Sequence, residues 1–512
     1  KKSPSLIKDI ILGGKLKRAI YHAEVIIINH SLLMTDIVQK GLLPDYKSVI
    51  IDEAHNLTKS AYDQFKIEWS EQQVSYQLQV VDPSFPRSAR WNNILHSLAD
   101  KNPSILEQRE KLKDEVTNAR ESLRTFMKSL NDENESRFNP DRSYQEQPIL
   151  GNISKAYAPI RDEINTMKNS LEKIMSIVNR IKKSVLEMDN DRSKYPLLHS
   201  AMDRGCDTII GLIDSLVVLT ENQDPDWVYW IKGEYRYGSS KKDNLVLSLF
   251  TVMIDISDTL SRKFFEKLDS CILTSATLKV QNSFKYFLGR IGLDDIGNVQ
   301  TKEFLSPFHY SDQVSYYQYA GSKEISNDPE SIGEIIYDLH TNHHKRIMVL
   351  FTSVRILSET AKYIRGKKGG RDLPLFAQVR GASRPSIIRG MHQKTSGILF
   401  GTNSFWEGID LPGDLLEILV MVKLPFDVPS EPLVKSYSDY VNKNGGNSFL
   451  DYSLPEAAIR FRQGFGRLIR TSYDAGKFIC LDNRIVVKRY GSIISESLPI
   501  EMKTFSDAYS II

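Results

Sequence analysis

Two kinds of hydrophobic pattern alternate along this chain. Short runs of branched apolar residues, each closed by a polar turn, occur at 25–29, 48–52, 272–274, 347–351, 398–401, 416–422 and 478–482. Continuous apolar runs of this length predict strands buried on both faces, the pattern of a parallel sheet. Helical periodicity between many of them predicts βαβ units and a doubly wound α/β architecture, whose functional loops lie at the carboxyl ends of the strands.

The middle of the chain reads differently. From Leu112 the apolar positions run Val116, Ala119, Leu123, Phe126 and Leu130, and a second series runs Ile164, Met167, Leu171, Ile174, Val178, Ile181, Val185 and Met188. Alternating steps of four and three residues predict a long two-helix hairpin. The polar segment 131–147 between the two series, with Pro140, reads as its exposed tip. For single residues of this hairpin, helical packing explains the pattern without any part in chemistry.

Composition narrows the class. At 512 residues the chain is long enough for several domains of roughly 100–200 residues each. Its 41% hydrophobic, 26% charged and 10% aromatic content is that of a globular protein. Lys plus Arg number 67 against 64 for Asp plus Glu, so any site for a polyanion is a local groove rather than a field over the whole chain. Cys206, Cys271 and Cys480 are far apart and match no zinc or iron–sulfur spacing, which excludes a disulfide framework or a four-thiolate metal site within this chain. No apolar run reaches the length of a membrane span, and Lys1-Lys2-Ser3-Pro4 lacks a signal-peptide core. The expectation is a soluble, cytoplasmic, monomeric enzyme.

The chemistry begins at Asp52-Glu53-Ala54-His55, directly after the apolar strand Ser48-Val49-Ile50-Ile51. Two adjacent carboxylates on a rigid strand end suit a magnesium nucleotide. Asp52 can hold Mg2+, commonly through water, while Glu53 orients and deprotonates the attacking water. A solvated acidic turn is the plain alternative, but apolar strand, acidic box and following helix together are much rarer than an Asp-Glu pair. Arg467 and Arg470 lie three apart in a helical pattern, a spacing that shares one face and can bring two guanidinium groups to a γ-phosphate from a second lobe. Ser275 and Thr277, in a turn after a strand, can donate to a phosphate or join the nucleotide site to a nucleic-acid groove.

These boxes resemble the superfamily 2 helicases, within them the XPD/DinG group, and most of all its bacterial DinG branch. The resemblance rests on Ile26-Ile27-Ile28-Asn29-His30-Ser31-Leu32-Leu33, the Asp52–His55 box, and Leu273-Thr274-Ser275-Ala276-Thr277-Leu278. It continues in the run from Gly401 and Thr402 to Asp410, in Gln463-Gly464-Phe465-Gly466-Arg467-Leu468-Ile469-Arg470, and in Asp482-Asn483-Arg484. It implies two RecA-like lobes of the P-loop NTPase fold, with an α-helical, arch-like insertion. Residues 1–58 and 236–285 would belong to the first lobe, 59–235 to the insertion and 286–512 to the second lobe.

It also implies ATP, Mg2+ and single-stranded DNA as ligands, and translocation from 5′ to 3′ in repair or replication. By the resemblance, Asp52, Glu53, His55, Gln463, Arg467 and Arg470 are catalytic, and Glu407, Gly408, Asp410 and Gly466 join them around the nucleotide. Asn29, Ser275, Thr277, Thr352, Ser353, Thr402, Ser404 and Trp406 would face the DNA strand. For Trp406 core packing is an equal alternative; for Thr352 and Ser353 it is a helix cap, and for Asn29-His30 a structural role.

One part is absent. A phosphate-gripping loop needs Gly-x-x-x-x-Gly-Lys-Ser/Thr, and Gly13-Gly14-Lys15, followed by Leu16, has the wrong spacing and reads as a turn. The resemblance places that loop upstream of residue 1. An iron–sulfur cluster is not supported within this chain, since residues 1–52 hold no Cys. Some relatives carry an N-terminal exonuclease domain instead. The chain alone is therefore expected to hydrolyse ATP weakly or not at all and to bind single-stranded DNA in a salt-sensitive way. A strand-gripping module without turnover, and a scaffold built on the hairpin, are the rival readings.

Overall fold

A computed structural model describes residues 19–39, 41–85, 94–96, 98, 102–140, 144–190, 192–235, 245–294, 296–378, 384–402 and 416–506. The turn expected at 13–15 and the whole of 403–415, with Ser404, Trp406, Glu407, Gly408 and Asp410, lie outside the described residues. The strands are β1 (Ser48–Ile51), β2 (Ile67–Ser70), β3 (Tyr144–Pro148), β4 (Trp227–Tyr235), β5 (Leu245–Met253), β6 (Ser270–Leu273), β7 (Val314–Tyr319), β8 (Arg346–Leu350), β9 (Leu375–Ala377), β10 (Gly397–Gly401), β11 (Ile418–Met421), β12 (Gly476–Cys480) and β13 (Met502–Phe505). They fall into two compact units, each of which crosses the sequence more than once.

The first unit takes Lys1–Tyr46, Thr58–Ile256 and Ser430–Ser436. Its long helices are Pro103–Asn134, Arg161–Met188 and Pro196–Thr220, packed in succession against one another. Both apolar series read from the sequence face this interface: Leu112, Val116, Ala119, Leu123, Phe126 and Leu130 are fully buried, and Ile164 through Val185 are buried opposite them. Met188 packs at the margin. Asn102 caps the first of these helices through the Ser104 N–H, with Pro103 in the first turn, where its missing donor costs nothing.

The segment expected as an exposed tip is more ordered than its polarity suggested. The first helix runs on to Asn134, and residues 144–148 form β3, which pairs antiparallel with β4. Most of its described residues are exposed, as expected, but Gln145 is 9% exposed, donates to the Asn139 carbonyl and accepts the Asn139 N–H. The antiparallel sheet β2-β5-β4-β3 thus adds a β layer to the helices. Its other face buries Val228, Trp230, Phe250 and Val252 beneath Tyr62, Phe65, Ile254 and Leu433.

Residues 25–29, expected as a strand, form none. Val25 and Ile27 are 78% and 94% exposed, and Asn29 begins the helix His30–Gln39 by accepting the Leu32 N–H on its side chain. An apolar run becomes a strand only where a neighbour takes its backbone donors and acceptors. Among the described residues, β1 pairs with β6 alone.

The second unit takes Lys47–Leu57, Ser257–Pro429 and Tyr437–Ile512. It holds the parallel pair β1-β6, and a parallel sheet in the order β13-β7-β12-β11-β8-β10-β9. Alternate residues of each central strand enter opposite cores. Met348, Leu350, Leu399, Leu419, Met421, Phe478 and Cys480 join the helix Leu454–Phe465 on one face. Ile347, Val349, Ile398, Phe400, Ile418, Val420 and Ile479 meet the helices Pro329–His343 and Val354–Gly366 on the other. Burial on both faces is the reason these strands read as unbroken apolar runs.

Candidate functional site

The acidic box sits where β1 ends. β1 and β6 run in register from Ser48 opposite Ser270 to Ile51 opposite Leu273, and beyond the ladder Thr274 N–H donates to the Ile51 carbonyl while Ala54 N–H donates to the Thr274 carbonyl. Both strands therefore release their loops at one edge. Asp52 and Glu53 are exposed there, and Glu53 N–H donates to Asp52 Oδ1 at 2.9 Å. Glu53 adopts the left-handed conformation, φ 50° and ψ 44°. That geometry costs a branched-at-Cβ or long side chain about 1 kcal/mol or more, and such strain concentrates at functional positions. Here it turns the chain sharply from strand into the short helical turn Ala54–Asn56 and leaves the Glu53 carboxylate free of the sheet.

His55 ties the box to the loop after β6. Its Nδ1 lies 2.7 Å from Ser275 Oγ and 3.3 Å from Glu53 Oε2. The imidazole therefore stands between the carboxylate and the hydroxyl, and its tautomer decides which of them it serves. Ser275 Oγ also accepts the Thr277 N–H at 3.3 Å. Thr277, only 4% exposed, in turn receives Gln463 Nε2 on its hydroxyl at 3.4 Å. A continuous set of contacts thus runs from Glu53 through His55, Ser275 and Thr277 to Gln463, all within the second unit.

Gln463 lies in the last turn of the helix Leu454–Phe465. That helix is held by an ionic and aromatic network. Arg460 makes a bidentate pair with Asp427, and Tyr286 O–H donates to Glu456 at 2.5 Å. Arg290 stacks over Tyr437 at 4.0 Å, on the helix Lys285–Ile291 that follows the Ser275–Thr277 turn. Arg467 and Arg470 do not share a helical face as their spacing predicted, because the helix stops at Phe465. Gly466 N–H closes on the Arg462 carbonyl, Arg467 N–H on Gly464, and Leu468 N–H on Phe465, which tightens the chain into turns at the end of the helix. Asp474 then takes the N–H groups of Arg470 and Thr471 at 2.6 and 2.8 Å, and fixes the arginine's backbone. Nothing local in the sequence marked Asp474 for that task.

Next to Thr277 opens a cleft of about 230 Å³ lined by Lys279, Gln281, Asn282, Glu303 and Arg462. Gln281 and Asn282 both have positive φ, 49° and 59°, in a tight turn closed by Val280 and Ser283. The hydrogen bond from Lys279, at 2.5 Å, lowers the Glu303 pKa.

The remaining candidates stand as follows. Ser353 caps the helix Val354–Gly366 by accepting the Ile356 N–H, with Thr352 just before it. Thr402, after β10, gives both its N–H and its hydroxyl to Gln378 Oε1 at 3.0 and 2.8 Å, so Gln378 orients a position the sequence had marked. Asp482 is fully buried, accepts the Leu424 N–H and pairs with Arg484, and so braces the loop after β12. Asn29 belongs to the first unit, where it acts as a helix cap.

A magnesium ion fits Asp52 by the chemistry of the donor set. Mg2+ takes one or two carboxylates and completes its shell with water and phosphate oxygens, so a dedicated cluster of side chains is not required. Among the described residues no group of three or more His, Cys, Asp or Glu is placed to hold a metal. No described helix is long and apolar enough to cross a membrane.

Residues 336–501 match the family model of the helicase C-terminal domain. The chain is 27% identical over 506 residues to the 3′-5′ exonuclease DinG of Bacillus subtilis, covering 95% of this chain and 52% of that protein. It is 26% identical over 507 residues to the ATP-dependent DNA helicase YoaA of Haemophilus influenzae, covering 97% of this chain and 69% of that one. A solved XPD helicase aligns with 96% of this chain and 74% of its own at a TM-score of 0.52 and 15% identity. The chain is thus similar to the DinG and YoaA proteins over most of its length, and shares the α/β, RecA-like fold of the solved XPD structures. It spans about half of the DinG relative and about two thirds of the YoaA relative.

Proposed function

We propose that this relative of the DinG and YoaA proteins is the motor part of an ATP-dependent DNA helicase that translocates 5′ to 3′ on single-stranded DNA in repair or replication. The observation that carries the reading is the contact path from Glu53 to Gln463, which links a nucleotide-edge carboxylate to the segment bearing Arg467 and Arg470. Asp52 would hold Mg2+ on the nucleotide phosphates, and Glu53 would align the attacking water and receive its proton. The His55 ring, shared between Glu53 and Ser275, sets where that carboxylate points. Arg467 and Arg470 would offset charge that develops on the γ-phosphate, a role generally worth about 10³–10⁵ in rate. Mg2+, when bound, would offset negative charge on the phosphate oxygens.

The phosphate-gripping loop would come from sequence outside this chain, so the activity belongs to the full-length protein. One relative is named an exonuclease and is about twice as long as its aligned part, which supports a second reading: the helicase part of an exonuclease fusion. ATP turnover stimulated by single-stranded DNA should fall at least about a hundredfold in Glu53→Gln, since that change removes the base and leaves the shape. Stimulated turnover at the wild-type rate in this variant sinks the assignment, whether or not a nuclease is attached.

A further inference from the structure

The site described above lies at the carboxyl ends of the strands. A different cluster lies across β12, β7 and β13 of the large sheet in the second unit, with Tyr317 and Lys503 level with Ile479 and Lys477 two residues nearer the start of β12. Lys503 of β13 pairs directly with Tyr317 of β7, and Lys477 of β12 sits diagonally across from the same ring, since it pairs with Ser315. The three side chains share one face of the sheet, the face on which Ile479, Tyr319 and Phe505 enter the core beneath the helix Pro329–His343. The lysine ammonium groups reach the Tyr317 ring from two sides, at 5.9 Å for Lys477 and 6.0 Å for Lys503.

The end of that helix supplies a hydrogen-bond partner for one of the lysines. Lys477 Nζ donates to His343 Nε2 at 3.2 Å, and Lys345 follows two residues on, paired with Glu417 at 2.5 Å. Burial, then Lys477 and Lys345, push the His343 imidazole below its ordinary pKa, so it stays neutral and accepts the ammonium proton. Lysines on an edge strand are commonly a guard against sheet-to-sheet pairing, and that accounts for Lys503 on β13. It does not account for Lys477, which stands two strands inside the edge and converges on the same aromatic ring. Like charges gathered around a half-buried ring raise the local positive potential, and a phosphodiester beside an aromatic face is the ligand that suits them.

We propose that Lys477, Lys503 and Tyr317, with His343 orienting Lys477, form a second contact for the backbone of single-stranded DNA, made by residues other than those of the acidic box and its contact path. The identity of the polymer rests on the helicase reading; the position of the contact does not. Each phosphate neutralised on a single strand contributes about 0.7 to the slope of log affinity against log salt. In the full-length protein, Lys477→Gln with Lys503→Gln should therefore flatten that slope by about 1.4 and weaken binding of a long oligothymidylate about tenfold at low salt. Lys362→Gln with Lys368→Gln removes the same charge elsewhere on the same unit and should leave the slope unchanged.

An unaltered slope in the first double variant, or an equal change in both, overturns the contact. Loss of binding to an oligoglutamate with DNA binding intact also overturns it, in favour of an acidic protein partner. Protection of the two lysines from acylation by inorganic phosphate but not by the oligonucleotide overturns the strand assignment. Failure of the motor reading is a separate result, turnover indifferent to Glu53→Gln, and it does not alter the comparison of slopes.

Discussion

The hydrogen bond between His55 and Ser275 carries a quantitative consequence. Nδ1 lies 2.7 Å from Ser275 Oγ and 3.3 Å from Glu53 Oε2, so the hydroxyl holds the ring at the closer distance while the carboxylate stays available. Ser275→Ala removes the nearer partner. In the tautomer that carries its proton on Nδ1, the ring then turns that N–H to Glu53 and occupies the oxygen that should take the proton of water. A net hydrogen bond of this kind is worth about 1 kcal/mol, which is about fivefold in a rate. Ser275→Ala should therefore lower kcat for DNA-stimulated ATP turnover about fivefold in the full-length protein while the KM for ATP stays within about twofold, the pattern of an interaction that acts in the transition state. A double-mutant cycle with His55→Ala isolates the pair, and the expected coupling is about 1 kcal/mol. Additivity of the two single changes to within about 0.3 kcal/mol would mean that the two side chains act independently and that the contact path does not transmit position to Glu53.

Thr277 offers a sharper test of role. Its hydroxyl is turned toward Gln463 and the residue is 4% exposed, so Thr277→Val should leave single-stranded DNA affinity within about twofold and lower only the stimulation of turnover; a large loss of affinity would return this residue to the DNA groove. Asp328 caps the helix Pro329–His343 through the Glu330 N–H and accepts from Lys323 and Ser331, and these hydrogen bonds lower its pKa from 3.8 to about 2. A depressed carboxylate stabilises the fold above its unfolded pKa and loses that contribution as pH falls through the folded value. Asp328→Ala should cost about 1 kcal/mol of unfolding free energy near neutral pH, with the difference from wild type shrinking between pH 4 and pH 2 in urea titrations; a difference that is flat across this range would refute the cap.

Much of the architecture was legible because period and burial are local signals. The apolar runs at 347–351, 398–401, 416–422 and 478–482 became β8, β10, β11 and β12, whose alternate residues feed two cores. The steps of three and four residues through Phe126 and Leu171 fell on the faces by which two long helices pack. Two of the failures share a cause, dependence on distant partners. The run at 25–29 has strand composition but no ladder. The polar run at 144–148 has a ladder, supplied by β4, that its composition did not announce. The arginine pair at 467 and 470 looked helical by spacing, and the turns at Gly464 and Gly466 ended the helix before it reached them.

Sequence by itself determined which residues could do the chemistry: a carboxylate pair at a strand end, a hydroxyl turn, a glutamine and two arginines in order along the chain. Those are properties of side-chain type and of a few neighbours, and they survive in one dimension. Only the tertiary structure decided that His55 meets Ser275 across 220 residues and that Gln463 closes on Thr277 across 186. Parallel strands bring their carboxyl ends to one edge regardless of the chain length between them, and that convergence is a property of the sheet, not of any segment within it.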